Sequence, residues 1–296
     1  MRVLAIDGGG IRGLIPALVL AEIESRTSRR IADLVDLVAG TSTGAILACA
    51  LTRPDPLPAA DVAGIYVDEG PKIFDRSLLK IVTSVAGYVD EKYDDSGLVA
   101  ALEKYLGATK LAEATVPVLL TAYDLQARAA MLLRSGDAGE LSMVDAAHAS
   151  SAAPTYFEPV RVGAMTLVDG GVFAVNPAMA AFAETAGGEP LDVLASLGTG
   201  EHTRPLPFDE VKGWGKLEWA QPIIDVVFDG SADAVDEQLS HLVDGRYIRL
   251  QTRLDEASDD LDDASPENLA ALRREAERLI AARSADIDRL CSILTA

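Results

Sequence analysis

Short apolar runs that alternate with segments of helical character constrain the fold of this chain more than any other feature. Strand-like runs occur at 2–6, 34–40, 116–125, 130–135, 165–171, 191–200 and 246–251. Segments with helical spacing, 14–27 and 43–52, follow the first two of these runs. Continuous apolar strands joined through helices predict a mostly parallel sheet covered on both faces, and hence an α/β fold.

Two regions depart from this alternation. Residues 54–110 contain helix-like pieces whose apolar residues lack a clear strand partner, and they predict a helical insertion. This insertion is either a lid over a site or a set of ordinary covering helices. Residues 266–294 repeat apolar residues at helical spacing and predict one packed C-terminal helix. Because neither an internal repeat nor a linker is visible, we predict a single domain over 1–296.

Composition excludes several classes of function. The formal net charge of −20 argues against a nucleic-acid partner, because phosphate binding requires Lys and Arg. The two cysteines, Cys49 and Cys291, stand in apolar surroundings and are too few for a disulfide framework or a metal cluster. No apolar run approaches the roughly 18 residues of a membrane span, and no signal peptide is visible. We therefore expect a soluble cytoplasmic protein without a transmembrane anchor, metal or organic cofactor.

The first strand-like run ends in a glycine-rich loop, "VLAIDGGGIRGL". Gly8, Gly10 and Gly13 fit the G-x-G-x-x-G spacing of a dinucleotide-binding turn. Such a turn also needs an acidic residue at the end of the second strand, about 20 positions on. Asp33 precedes that strand, and a second glycine-rich turn occupies the strand's end. The loop amides are therefore better suited to the oxyanion of an acyl-transfer intermediate.

The second turn, "AGTSTGA", has the pattern G-x-S-x-G in Gly40, Ser42 and Gly44. It lies between a predicted strand and a predicted helix, which is the context of a nucleophile elbow. A sharp turn there exposes the serine hydroxyl, and the helix N-terminus behind it favours a developing negative charge. Ser42 is therefore a candidate nucleophile, which needs a general base.

The residues alone leave two candidates for the general base that activates Ser42. His202 or His241 could complete a triad with Asp169, since both follow Ser42 in the chain, whereas His148 lies in a small-residue helix and suits a structural role. The second possibility is Asp169 itself, which ends an apolar strand and precedes two glycines. A carboxylate in a partly desolvated cleft has a raised pKa and can accept the serine proton. D-G is also a common turn signal, so the alternative is that Asp169 is a turn aspartate without a catalytic role.

The motifs "DGGGIRG", "GTSTG" and "DGG", with "ASSAAPTYFEP" between the last two, resemble the patatin-like phospholipase family over roughly residues 1–200. The resemblance implies a three-layer α/β/α sandwich with a mainly parallel central sheet, and a Ser–Asp dyad without histidine. By position, Ser42 corresponds to the nucleophile, between the elbow glycines Gly40 and Gly44, and Asp169 to the base. The implied oxyanion hole comprises Gly8, Gly9, Gly10 and Arg12. Ala45 departs from members that continue with glycine, but it lies outside G-x-S-x-G.

Arg12 leaves two interpretations open: positive charge near the oxyanion or a lipid phosphate, or a pair with a structural acid. The apolar residues of the insertion are either acyl-chain contacts or core; they are Ile65, Ile73, Phe74, Leu78, Leu79, Ile81 and Val82.

The resemblance implies a lipid acyl hydrolase of phospholipase A or lysophospholipase type that forms an acyl-enzyme. Its partner is then a lipid or phospholipid ester, at a membrane or micelle surface. Two alternatives are a soluble carboxylester or thioester hydrolase on the same scaffold, and a ligand-gated lipase effector that is inactive until triggered.

Overall fold

The computed structural model describes residues 1–74, 93–201, 203–219 and 222–296. Its strands are β1 (Arg2–Ile6), β2 (Leu37–Gly40), β3 (Val118–Asp124), β4 (Ala129–Arg134), β5 (Val160–Val162), β6 (Met165–Asp169), β7 (Val193–Leu197) and β8 (Tyr247–Leu250). Its helices are α1 (Leu14–Thr27), α2 (Thr43–Thr52), α3 (Ala59–Asp68), α4 (Gly70–Ile73), α5 (Ser96–Leu106), α6 (Met143–Ser151), α7 (Gly171–Ala174), α8 (Ala178–Glu184), α9 (Phe208–Val211), α10 (Lys216–Trp219), α11 (Pro222–Leu242), α12 (Pro266–Ala282) and α13 (Ser284–Leu294).

The strands form one sheet in the order β5-β6-β3-β2-β1-β7-β8, and β4 pairs with β3 outside this path. The run β3-β2-β1-β7-β8 is parallel throughout. The additions at one side, β4, β5 and β6, pair in the antiparallel sense. This arrangement confirms the predicted α/β class with a mainly parallel central sheet.

Helices cover both faces of the sheet because its strands are apolar on both sides. In β1, Val3 and Ala5 face a core that includes Ala178 of α8. The alternate residues Leu4 and Ile6 face a larger core built with α1, α2, α6 and α12. The result is the three-layer α/β/α sandwich, with the continuous apolar runs of the sequence as its central layer.

The expected C-terminal helix over 266–294 is divided into α12 and α13, so that prediction needs correction. Arg283 separates them, with φ −106° and ψ 22°. The Arg26 guanidinium of α1 donates hydrogen bonds to the carbonyl (3.0 Å) and hydroxyl (3.2 Å) oxygens of Ser284. These bonds hold the start of α13 against α1, and Ile287 and Leu290 of α13 are buried in the core.

Candidate active site

Ser42 occupies the sharp turn between β2 and α2. Its backbone has φ 55° and ψ −123°, a conformation that non-glycine residues rarely adopt. Such a conformation costs on the order of 1–3 kcal/mol and persists only where the surrounding structure enforces it. The strand-to-helix turn predicted from G-x-S-x-G is therefore present, with Ser42 immediately before the N-terminus of α2.

The elbow glycines are required by close backbone contacts. A Cβ atom on Gly40 would lie 2.3 Å from the carbonyl oxygen of Gly44. A Cβ atom on Gly44 would lie 2.1 Å from the carbonyl oxygen of Ile6 at the end of β1. The two glycines therefore allow the turn to close and α2 to pack directly against the neighbouring strand.

Asp169 comes close to Ser42 because two strands meet end to end along one edge of β3. Gly40 of β2 pairs with Leu120, and Asp169 of β6 pairs with Ala122. Since β4 occupies the other edge of β3, β2 and β6 share an edge. They run in opposite directions, so the residues that follow β2 and the last residue of β6 face each other.

The Asp169 carboxyl is fully buried, with 0% exposure. Its Oδ1 accepts a hydrogen bond from the Gly171 N–H at 2.7 Å, whereas Oδ2 has no hydrogen-bond partner in the described parts of the chain. Burial raises the pKa of Asp169 to about 7, and the Ser42 side chain and the Gly171 N–H oppose that shift. A carboxyl that titrates near neutral pH can both accept and return a proton.

The glycine loop approaches the serine through Gly8. A Cβ atom on Gly8 would lie 3.1 Å from the Ser42 Cβ, which is a tight contact. Its N–H already donates to the Val175 carbonyl oxygen at 3.0 Å. Gly8 therefore provides close approach to the serine, while its amide is occupied.

Three other backbone N–H groups in this region are not occupied by hydrogen bonds to the described part of the chain. The N–H groups of Gly9, Gly10 and Thr43 donate no hydrogen bond to any residue within the described ranges. Gly10 has φ +56°, and a Cβ atom there would lie 2.2 Å from the Leu261 carbonyl oxygen, so glycine is required. Gly10 and Thr43 also line the same pocket as Ser42.

Arg12 is buried and faces a different, polar pocket that it lines together with Asp7 and Arg249. Its Nε donates to the Gly9 carbonyl oxygen and its Nη1 to the Asp259 carbonyl oxygen, both at 3.4 Å. Burial lowers the pKa of Arg12, and nearby carboxylates oppose this. The Arg12 side chain thus contacts the glycine loop on the side where the Gly9 carbonyl group lies.

An apolar pocket with a cavity volume of about 80 Å³ lies against Ser42 and Asp169. Helices α2, α3 and α5 supply much of its wall, for example with Ile46, Ile65, Leu98 and Leu102. Among the predicted acyl contacts, Ile65, Ile73 and Phe74 line it, whereas Leu78, Leu79, Ile81 and Val82 lie outside the described residues.

The end of α6 contributes two serines, Ser150 and Ser151, that no local sequence pattern marks as site residues. The Ser150 hydroxyl oxygen accepts a hydrogen bond from the Ser42 N–H at 3.0 Å. The next residue, Ser151, lines the apolar pocket. The stretch "ASSAAPTYFEP" is distinguished in the sequence only by the family resemblance. No local pattern indicates that α6 contacts a turn that lies more than 100 positions earlier.

Two of the three histidines lie away from the pocket. His148 is buried on α6, with Nε2 3.2 Å from Asp95 Oδ2, and burial lowers its pKa. His241 is exposed on α11 beside Glu237, at 2.9 Å. Neither lines the pocket that contains Ser42. His202 lies outside the described residues.

Within the described ranges, no group of three or more His, Cys, Asp or Glu side chains could hold a metal ion. Of the helices described, none combines the length and apolar character needed to cross a bilayer.

Comparison with known proteins connects this geometry to a family. The family model for patatin-like phospholipases matches residues 4–182. Patatin-like protein 2 of Arabidopsis thaliana is 34% identical over 341 aligned residues, covering 95% of this chain and 83% of that protein. A Solanum tuberosum protein named probable inactive patatin-3-Kuras 1 is 30% identical, covering 95% of this chain and 86% of its own.

The crystal structure of VipD from Legionella pneumophila aligns at TM-score 0.43 and 12% identity, covering 95% of this chain and 67% of that one.

The family model spans more than half of the chain and includes the glycine loop, the elbow and Asp169. Relatives at 30–34% identity extend over nearly the whole length. The chain therefore belongs to the patatin-like phospholipase family.

Proposed function

We propose that this protein is a lipid acyl hydrolase of phospholipase A or lysophospholipase type that cleaves fatty-acyl esters through a Ser42–Asp169 dyad. One observation carries the proposal: Ser42, on a strained elbow, and a buried Asp169 with a free carboxylate oxygen line the same apolar pocket. Family membership supports lipid acyl hydrolysis as the activity.

Acylation begins when Asp169 takes the hydroxyl proton of Ser42 and Oγ attacks the ester carbonyl. The N–H groups of Gly9 and Gly10 stabilise the oxyanion, and a well-placed donor of this kind is worth a factor of about 10² to 10³ in rate. Protonated Asp169 then gives its proton to the leaving alcohol as the ester bond breaks. The acyl group remains on Ser42 until water releases it.

Acyl chains are the substrate portion for which the pocket is suited. Its walls are formed mostly by aliphatic and aromatic side chains, so burial of a fatty chain is favourable. This lining favours a lipid ester over a short, soluble ester or thioester. Rates on long-chain esters should therefore exceed those on short-chain esters of the same alcohol.

Intact mass after exposure to a long-chain fluorophosphonate tests the dyad. Wild type should gain one label, Ser42→Ala none, and Asp169→Asn should label much more slowly. Ser240→Ala, at an exposed hydroxyl on α11, serves as the matched control and should label like wild type. Absence of labelling in folded wild-type protein would instead favour the gated-effector alternative.

His202 allows a separate test of the dyad against a triad. We expect His202→Ala to keep most of the wild-type activity, because the proposed chemistry uses no histidine. Loss of a triad histidine lowers the rate by roughly 10³-fold or more. A loss of that size, with unchanged folding by circular dichroism, would contradict the dyad.

A further inference from the structure

The last turn of α6 contacts both members of the proposed dyad. Ser150 accepts the hydrogen bond from the Ser42 N–H at 3.0 Å, as described above. Two residues later, the Ala152 carbonyl oxygen accepts a hydrogen bond from the Asp169 N–H, also at 3.0 Å. Ser151 lies between these two anchors, so its position relative to Ser42 and Asp169 is fixed from both sides.

The Ser151 hydroxyl is buried, with 6% exposure of the residue, and lines the pocket that contains Ser42 and Asp169. Its Oγ has no hydrogen-bond partner in the part of the chain that the structure describes. Asp169 Oδ2 is in the same situation in the same pocket. Buried polar atoms are normally hydrogen-bonded, so two oxygens without a partner on the same cavity indicate that a polar guest occupies it.

We propose that Ser151 and Asp169 hold the water molecule that hydrolyses the acyl-enzyme. This inference rests on the proposed function and assigns Ser151 to its deacylation step. Water has two O–H groups, which one hydroxyl oxygen and one carboxylate oxygen can accept together. A water held in this way has its lone pair free to attack the acyl carbon.

The proton balance of this step is closed without any other group. Asp169 is a carboxylate once the leaving alcohol has taken its proton. As the water oxygen bonds to the acyl carbon, one water proton passes to Asp169. The bond between Ser42 Oγ and the acyl carbon then breaks, Asp169 returns the proton to Oγ, and the fatty acid leaves. Ser151 only accepts a hydrogen bond from the second O–H of the water.

Because the proposed role of Ser151 is confined to deacylation, it makes a specific kinetic prediction for Ser151→Ala. Acylation should remain within about twofold of wild type, measured as fluorophosphonate labelling of Ser42. Deacylation of a p-nitrophenyl ester should slow about tenfold, the size expected for one lost hydrogen bond. Once deacylation limits turnover, kcat and KM fall together, kcat/KM stays unchanged, and the acyl-enzyme accumulates in intact mass spectra.

Methanol gives a readout that a merely structural role for Ser151 would not change. It has one O–H to donate to Asp169 and no second O–H for Ser151. The rate at which added methanol attacks the acyl-enzyme therefore does not depend on Ser151. In Ser151→Ala the ratio of methyl ester to free acid should rise about tenfold, and Ser151→Thr, which keeps a hydroxyl, should restore the wild-type ratio.

The outcomes separate this inference from the function on which it rests. If Ser151→Ala lowers labelling and kcat/KM, Ser151 acts in acylation and the assignment is wrong. An unchanged ratio of methyl ester to acid, with normal labelling, also overturns it while leaving the dyad in place. If wild type forms no covalent adduct on Ser42, the proposed function itself fails.

Discussion

At the scale of single residues, the proposed role of Asp169 as the general base predicts how acylation depends on pH. In the proposed dyad only the carboxylate can take the Ser42 proton, and burial raises the pKa of Asp169 to about 7. The labelling rate should therefore rise about tenfold per pH unit below pH 7 and level off above it. Fluorophosphonate labelling between pH 5 and pH 9 measures this profile. An inflection near pH 4 would contradict a desolvated base.

The same carboxyl makes the native state less stable as pH rises. Its pKa is about 7 in the folded protein and near 3.8 when exposed, so between these values the folded state holds a proton that the unfolded state releases. Stability therefore falls from about pH 4 to pH 7. Asp169→Asn removes the buried charge and should stabilise the protein at pH 8 by about 1–3 kcal/mol relative to wild type.

Urea unfolding of wild type and Asp169→Asn at pH 8 and at pH 4.5 tests this linkage. The difference in unfolding free energy between the two proteins should be larger at pH 8. Equal differences at both pH values would mean that Asp169 has the same pKa in the folded and unfolded states, and hence that burial does not raise it.

At the scale of elements, the packing of α2 on β1 depends on one glycine. In Gly44→Ala the new Cβ atom would meet the Ile6 carbonyl oxygen at 2.1 Å, and backbone cannot move aside cheaply. We expect a loss of about 2–4 kcal/mol in stability and of most activity. Gly64→Ala in α3 is the matched control, because no described neighbour lies within 4 Å, and it should stabilise by about 0.5–1 kcal/mol. Thermal unfolding compares both variants.

The elements that sequence patterns predicted well are those with a strong local signal. Residues 2–6, 14–27 and 43–52 form β1, α1 and α2 as expected, because their apolar residues are continuous or follow helical spacing. The patterns did not indicate β5, which has three residues and an exposed Arg161, or the 21-residue α11. At the division of the terminal helix near Arg283, the next residue accepts hydrogen bonds from Arg26, which is far away in sequence and gives no local signal.

At the scale of the whole molecule, the site combines segments that the sheet topology brings together. Motifs identified Ser42 and Asp169 as candidates because strand ends and glycine turns are visible locally. The contacts of Ser150 with the elbow and the carbonyl-facing position of Arg12 depend on pairings across the fold. Periodicity and turn chemistry describe one segment at a time, so these contacts were not predictable from them.

The apolar pocket also belongs to the whole molecule, because it lies between the sheet-end turns and helices α2, α3 and α5. If it holds the acyl chain, narrowing it should change chain-length selection without changing the chemistry at Ser42. Ala101 of α5 is buried and lines the pocket, whereas its neighbour Ala100 is exposed. Ala101→Phe and Ala100→Phe therefore place the same ring inside and outside the pocket.

We expect Ala101→Phe to lower kcat/KM for a long-chain ester by about tenfold or more, while butyrate esters are cleaved at close to the wild-type rate. A clash of a few methylene groups with a new ring accounts for a loss of this size. Ala100→Phe should leave both rates unchanged. If Ala101→Phe reduced short-chain and long-chain cleavage equally, with a normal unfolding temperature, the ring would be disturbing the dyad and the acyl chain would lie elsewhere.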